Sequence, residues 1–563
     1  MIEDPKRALI ERLLKKQGDH QESGEASASL DAIAEDWDVI VLGGGLAGLS
    51  MALQLKQRRP ELRVLVVEKA RHPVREAAHK VGESTVEVAA HYFGEVLGLK
   101  RHLQTRQLKK LGLRFFFGQG DNREIHRRLE CGPFISQTLP VPSYQLDRGR
   151  FENHLGVELR RSGGVFVDGC RVRGIELGDR QHRVTLADDE LERSVSARWV
   201  VDASGRASLI KRKLGLQRKT DHDVNAAWFR VDAELDLERW TEDQRFVQRM
   251  PVGYRRFSTN HLMGSGYWVW LIPLASGSTS VGIVADAALH PFDEIRTLEH
   301  SLEWLAAHEP VCHATCIAHR DGVQDFLALK HYSHSCAQVF SATGWTIVGD
   351  AGVFTDPFYS PGSDSIAFAN SMTAELICRE FAGEDITERV EIYQWMFLDV
   401  LFRAALSTFS GQYPIMGNAR VMCAKIVWDF AVYWGVIGPL FMQDVLGDLD
   451  TLRRLRPVLE RFRDLQLATQ AWFGAWHRDT ATGEQPSDDH IDLTRLEFLY
   501  RRHCTMRDRL PRDAFIARME ASLDELEALR DLMRGQALGR APEDSALARD
   551  LAYLWGRLRG TGT

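Results

Sequence analysis

One short run limits what this chain can fold into more than any other: Gly43-Gly44-Gly45-Leu46-Ala47-Gly48. It follows Asp38-Val39-Ile40-Val41-Leu42, which is mostly apolar and rich in β-branched residues, and it leads into helical spacing at Leu49, Ala52, Leu53 and Leu55. A second apolar run, residues 62–67, ends at Glu68, 20 residues after Gly48. Strand, glycine turn, helix, strand and acid within about 30 residues are the parts of a βαβ nucleotide-binding unit. In such a unit Gly43 permits the tight turn, Gly45 lets the main chain approach a pyrophosphate with Ala47 beside it, and Gly48 lets helix and strand pack closely. The helix N-terminus then offers unpaired N–H groups to phosphate. Glu68, followed by Lys69, is placed to accept hydrogen bonds from ribose hydroxyls, and an acid there disfavours the 2′-phosphate of NADP.

The rest of the chain has room for more than this unit. At 563 residues it exceeds one small domain, and 44% apolar with 26% charged residues is the balance of a globular protein. A net charge of -7 gives no basic excess for a nucleic acid. The 8 cysteines are scattered with no C-x-x-C pair, which suits a reducing, cytoplasmic compartment. Cys312, His313, Cys316 and His319 lack a second pair at finger-like spacing, so no metal site is expected. Glu11, Arg12, Lys15 and Lys16 interrupt any apolar targeting segment; residues 7–16 suggest a short amphipathic helix and residues 17–29 a polar tether. Residues 426–442 are largely apolar, but they contain Asp429, Gly435, Gly438 and Pro439 and fall short of the roughly 20 residues a membrane helix needs, so a buried helix is expected and no transmembrane segment. Helical spacing dominates beyond residue 390. Pro457 is expected in a first helical turn, Asp513 as an N-cap, Gly535 as a stop, and residues 482–489 as a loop. The expected division is a polar tail (1–35), a nucleotide-binding and catalytic body (36–390) and a helical C-terminal region (391–563).

Three further segments select the dinucleotide. The apolar run 346–348 enters Gly349-Asp350-Ala351, where an aspartate can take the ribityl hydroxyls of a flavin. Val201-Asp202-Ala203-Ser204-Gly205 is a second strand-to-glycine turn of the type that closes over FAD. Tyr144-Gln145-Leu146-Asp147-Arg148 is similar to a strand-edge segment of flavoprotein hydroxylases. In this order they resemble the FAD-dependent hydroxylases and halogenases built on the glutathione-reductase-like fold. The resemblance implies an α/β protein: a Rossmann-like FAD-binding domain, an inserted mixed β-sheet substrate region and a mostly helical C-terminal extension.

Two more motifs narrow the family. Lys80-Val81-Gly82-Glu83-Ser84 and Trp268-Val269-Trp270-Leu271-Ile272-Pro273 resemble segments of the flavin-dependent halogenases, a family that includes tryptophan, pyrrole and phenol halogenases. The likeness covers roughly residues 36–390. It implies that Trp268, Trp270 and Pro273 wall the flavin, although two Trp at i and i+2 on a strand also suit core packing. It implies that Gly82, Glu83, Ser84, Arg148, Asp202, Gly349, Asp350, Pro357 and Gly362 hold FAD. It further implies that reduced FAD reacts with O₂, that halide is oxidised to hypohalous acid, and that the acid passes through a tunnel to a lysine beside an electron-rich aromatic. With only one nucleotide fingerprint apparent, a separate flavin reductase is the expected source of reduced FAD.

The family's lysine sits in a pattern like K-x-G-A-x-F. Here Lys110-Leu111-Gly112-Leu113-Arg114-Phe115 matches with Leu113 in place of Ala, 27 residues beyond Glu83. Lys80 is expected at the flavin loop, and Lys109 on the opposite side of an extended segment from Lys110. Residues 356–362 resemble the family's flavin and halide loop, with two departures. Tyr359 stands where tryptophan halogenases carry a catalytic Glu, which points to a phenol or a carrier-protein-bound aromatic as substrate. Pro361 has no N–H, so a halide site has to rest on Gly362 and Ser363. Two other readings keep the flavin motifs: an FAD monooxygenase or reductase without halogenation, in which Lys110 is ordinary, and a catalytically silent FAD-containing partner protein.

Overall fold

The computed structural model describes residues 28–76, 80–118, 120–133, 139–251, 253–479, 490–540 and 544–558. The helix expected at 7–16, nearly all of the tether and the loop expected at 482–489 lie outside them.

Strand Asp36–Leu42 is the centre of the first sheet. It pairs in parallel with Val64–Glu68 on one side and Glu192–Asp202 on the other, and the parallel run continues to Val165–Asp168 and Trp345–Ile347. Val39, Ile40, Val41 and Leu42 are all fully buried, as expected of a parallel strand covered on both faces. Helix Leu46–Arg58 covers one face with Gly45 as its N-cap. This is the βαβ unit read from the glycines.

The second sheet is mixed and has eight strands, in the order Val323–Leu329, Val224–Val231, Thr279–Asp286, Tyr267–Pro273, Thr259–Gly264, Leu113–Phe117, Leu129–Gly132 and His490–Asp492. Side chains alternate across it. On strand Tyr267–Pro273, Tyr267, Val269 and Leu271 join a core shared with helices Leu298–His308 and Pro310–Ala318, whereas Trp268, Trp270 and Ile272 face the other way. Cys312 and Cys316, one helical turn apart, belong to that shared core.

The C-terminal region is mostly helical but is woven into the rest. His490–Asp492 pairs with Leu129–Gly132 and closes the edge of the mixed sheet. The apolar stretch Ala419–Met442 is a helix long and apolar enough to cross a membrane, and 83% of its apolar window is buried within the protein. It contains a π-helical turn at Tyr433–Ile437, a distortion often found at functional sites.

Three helix details differ from expectation. Pro457 lies well inside the 31-residue helix Leu449–Asp479 rather than in its first turn; two turns of helix form ahead of it, and tertiary burial of Leu452, Leu455 and Leu459 outweighs the lost hydrogen bond. Helix Arg512–Ala537 is capped by Pro511, with Asp513 in its first turn. It passes through Gly535 and ends before Gly539, whose φ of +70° supplies the left-handed turn. Phe515, Met519, Leu523, Leu526 and Met533 are buried along one face as their spacing suggests.

Candidate active site

A cavity of about 900 Å³ opens between the parallel sheet, the mixed sheet and the C-terminal helices. Of the residues singled out from the sequence, Gly43, Gly45, Ala47, Glu68, Lys69, Gly82, Glu83, Ser84, Lys110, Arg148, Trp268, Trp270, Gly349, Asp350, Pro357, Gly362 and Ser363 line it. Gly48, Asp202 and Pro273 do not.

The packing explains why two of the motif positions are glycine. A Cβ on Gly48 would land on the Gly43 carbonyl oxygen, so this glycine is needed where helix meets strand. Gly43 has φ +116°, and a Cβ there would strike the Ala203 carbonyl. A Cβ on Gly45 would meet nothing within 4 Å: it faces the cavity, at the mouth of a helix N-terminus that is a natural anion site. Glu68 closes this end, with Gly44 N–H donating to Oε2 and Ala70 N–H to Oε1, both at 2.8 Å.

Asp350 supplies a second test of fit for a dinucleotide. Its carboxyl is pushed up by burial and pulled down by the positive charges of Arg148, Arg206 and Lys211, with no hydrogen bond to it from any described residue. An unbonded carboxylate on the cavity wall is what the hydroxyls of a ribityl chain require. Arg148 is fixed nearby, its Nη2 donating to Glu152 Oε1 at 2.6 Å and its Nη1 to the Val81 carbonyl. Lys80 pairs with the same Glu152. These residues fit FAD.

Three expectations need correction. The Asp202 carboxylate is turned away from the cavity, accepting from Ser204 N (3.0 Å), Ser204 Oγ (2.5 Å) and Ile210 N (2.7 Å). It shapes the turn, and Ala203, Ser204 and Gly205 present the turn to the cavity. Pro273 shares the outward face of its strand with Leu271, because it lies an odd number of residues from Trp268 and Trp270. Ile272 takes the wall position instead. Glu83 borders the cavity, but its Oε1 accepts from Arg230 Nε at 2.6 Å, and Arg230 also binds Asp325; its charge is spent within the protein.

Lys110 is the most distinctive group in the site. It ends the short strand Leu108–Lys110, which pairs with Ser143–Gln145. Lys109 is exposed and Lys110 only 4% exposed, as the alternation requires. Nζ donates to Ser84 Oγ at 2.9 Å and to the Thr85 carbonyl at 2.7 Å. Both partners are neutral. Burial pulls Lys110 down to about 7, with Glu87 and Asp364 acting against the fall. A buried lysine held only by neutral groups costs stability, and such residues cluster where chemistry needs them.

The loop 356–362 lines the same cavity as Lys110. Asp356 anchors it: Oδ2 accepts from His222 Nε2 (2.6 Å), Tyr332 Oη (2.9 Å) and Tyr413 Oη (2.7 Å), and Oδ1 from Phe358 N (2.8 Å). Tyr413 also receives the Trp268 indole N–H at 2.9 Å, and Trp268 packs edge-on against Phe358. Tyr359 and Ser360 both have positive φ, +66° and +64°, a strained pair of the kind found at functional sites. Tyr359 Oη is held by Asp429 Oδ2 at 3.0 Å. Pro361 caps helix Gly362–Phe381, which leaves the Gly362 and Ser363 amides in the first turn without main-chain acceptors. Both residues line the cavity.

The C-terminal region adds an apolar part of the cavity wall: Phe397, Phe402, Phe409, Phe430, Trp434 and Leu493. Sequence reading missed these, and it also missed Glu87, Asp364, Tyr433 and His503 around Lys110. Glu87 and Asp364 sit four residues from Glu83 and two from Gly362, and so were within reach of the motifs. Tyr433 and His503 carry no local signal.

Glycines at a helix mouth, an unbonded carboxylate, two indoles and a buried lysine, all lining one cavity, fit an FAD-dependent oxidoreductase. Residues 36–279 match the family model described as FAD binding domain. The chain is 27% identical over 447 residues to flavin-dependent halogenase chlA of Dictyostelium discoideum, covering 73% of this chain and 71% of that one. It is 25% identical over 378 residues to a 1H-pyrrole-2-carbonyl-[peptidyl-carrier protein] chlorinase of Pseudomonas fluorescens, covering 63% and 77%. Its fold is shared with the crystal structure of halogenase PltM in complex with phloroglucinol and FAD, at a TM-score of 0.60, 18% identity, and coverage of 88% of this chain and 96% of that one. The chain is thus similar to flavin-dependent halogenases over most of its length, and its activity is that of an FAD-dependent, halogenase-like oxidoreductase.

Proposed function

We propose that this protein halogenates an electron-rich aromatic, a phenol or a carrier-bound acyl aromatic, with Lys110 presenting the oxidised halogen to the ring. The observation that carries this reading is the placement of Lys110: its amine is buried in the wall of the cavity on neutral partners, and aromatic side chains line the same cavity. FAD supplies the oxygen chemistry when bound. The protein's own residues bind, orient and shield. Gly43, Gly45, Ala47, Glu68 and Lys69 hold the ADP half; Gly82, Arg148, Gly349, Asp350 and Pro357 hold the flavin half. The amides of Gly362 and Ser363, at a helix N-terminus, hold halide. Trp268 and Trp270 separate the flavin half from the aromatic chamber, which excludes water around the substrate.

Reduced FAD comes from a separate reductase, since the chain carries one nucleotide fingerprint. All eight cysteines are unpaired, which agrees with work in the cytoplasm. The chain is read as a tail to residue 35, a body to about residue 390 and a helical region that completes the substrate chamber. The aromatic lining of that chamber supports an aromatic substrate. In the test, purified protein receives chemically reduced FAD, O₂, bromide and a phenolic probe. Mass spectrometry is expected to find the brominated phenol; a product gaining oxygen alone would sink the halogenation reading in favour of a monooxygenase.

A further inference from the structure

We propose that Asp364 is the base that takes the substrate's hydroxyl or N–H proton as the ring attacks the halogen. The proposal rests on the aromatic-halogenation reading above and adds a residue to it. Asp364 lines the same cavity as Lys110, and each carboxyl and ammonium feels the other's charge.

The hydrogen bonds around Asp364 leave it acceptor-only. Its Oδ1 takes the Ala89 N–H at 2.8 Å and its Oδ2 the Tyr433 hydroxyl at 2.6 Å. Tyr433 Oη also accepts the Val88 N–H at 3.1 Å, which leaves its own proton to donate to the carboxylate. Both donors come from the protein and are neutral. The remaining lone pairs are free for a proton arriving from the cavity. Four titratable groups surround it: Lys110, Glu87, Tyr433 and, behind Glu87, His503, whose Nε2 lies 3.2 Å from Glu87 Oε1.

Glu87 lines the cavity too, but it is the poorer base. Burial is the largest influence and would raise its carboxyl, but the His503 hydrogen bond and charge, its own backbone N–H and the Lys110 charge together hold it low. Asp364 is raised to about 7, first by burial and then by the negative charge of Glu87. A carboxylate poised near working pH is suited to proton transfer.

The step balances as follows. A ring carbon forms the carbon–halogen bond while the halogen–oxygen bond of hypohalous acid breaks. The departing hydroxide takes a proton from the Lys110 ammonium and leaves as water, and the substrate's hydroxyl proton moves to Asp364. The dienone then loses its ring hydrogen as a proton to the neutral Lys110 amine, while Asp364 returns its proton to the oxygen. One halogen has replaced one hydrogen, and both side chains end as they began.

The test is Asp364→Asn in the FAD-loaded enzyme, with a readout that needs no turnover. 4-Nitrophenol bound to the oxidised holoenzyme is titrated by difference absorbance. Removing a negative charge beside its hydroxyl is expected to lower the bound probe's ionisation midpoint by about one pH unit or more. An unmoved midpoint, or no binding of the probe, would overturn the assignment even if the wild-type enzyme halogenates. In turnover, Asp364→Asn is expected to slow a phenol by about 100-fold or more, and the methyl ether of the same phenol by less than about 3-fold. Equal slowing of both would mean that Asp364 is only structural. Tyr433→Phe, which removes a donor from the anion, is expected to move the acid limb of the activity to higher pH; an unmoved limb would also count against the proposal.

Discussion

Replacing Lys110 by Met should make the protein more stable, and only below a defined pH. The ordinary lysine value of 10.5 falls to about 7 at Lys110, chiefly because its ammonium is buried. That fall corresponds to about 5 kcal/mol of cost to the folded state when the lysine is charged. Below pH 7 folded and unfolded chains both carry the proton, so the folded state bears the whole cost. Between pH 7 and 10.5 the unfolded chain still binds a proton that the folded one has released, so wild-type stability rises with pH. Met fills the same channel without charge, but it leaves the Thr85 carbonyl unpaired, at about 1–3 kcal/mol. The net expectation is about 3 kcal/mol in favour of Lys110→Met at pH 6. If the whole chain melts as one unit, that is a rise in Tm of about 2 °C. The assay is a series of thermal melts of both proteins from pH 6 to pH 10 in equal excess FAD. The variant should melt higher at pH 6, with the gap closing toward pH 10. A variant that melts lower at pH 6, or a gap that does not depend on pH, refutes the reasoning that Lys110 is kept charged for function at the expense of stability.

Other outcomes follow from the packing around the cofactor. Gly45→Ala should fold normally and bind FAD about 10-fold or more weakly by fluorescence titration, since its new methyl would point into the cavity. Gly48→Ala should instead lower the yield of folded protein, because the methyl would collide with the Gly43 carbonyl; equal behaviour of the two variants would contradict the assigned roles. Glu68→Gln loses one of two acceptors for Gly44 and Ala70 N–H and should weaken FAD binding about 10-fold, an effect absent if Glu68 does not face the ribose. Asp356→Asn must turn its NH₂ toward either the three side-chain donors or the Phe358 amide, so a loss of about 2–4 kcal/mol should appear as a lower Tm.

Much of the fold could be read where its determinants are local. The strand, glycines, helix and acid from Asp36 to Glu68 specify one unit because each part acts on its neighbours, and the strand hosting Trp268 and Trp270 fixes their common face by alternation. The errors came where a motif was carried over whole. Pro273 belongs to the hexapeptide but sits on the opposite face, and Asp202 belongs to a cofactor turn but serves the turn. Pro457 fits a helix start on propensity, yet tertiary burial extends the helix ahead of it. The surroundings of Lys110 were harder still, because Glu87 meets His503 across 416 residues of sequence and Tyr433 reaches Asp364 across 69. No local pattern encodes such contacts.

The most direct measurement of the central claim separates flavin chemistry from halogen transfer. Wild type and Lys110→Ala are each given reduced FAD, O₂, bromide and a phenol, with flavin reoxidation followed by absorbance and product by mass spectrometry. Both proteins should reoxidise the flavin at similar rates, and only wild type should yield bromophenol. Undiminished bromination by Lys110→Ala would contradict the account.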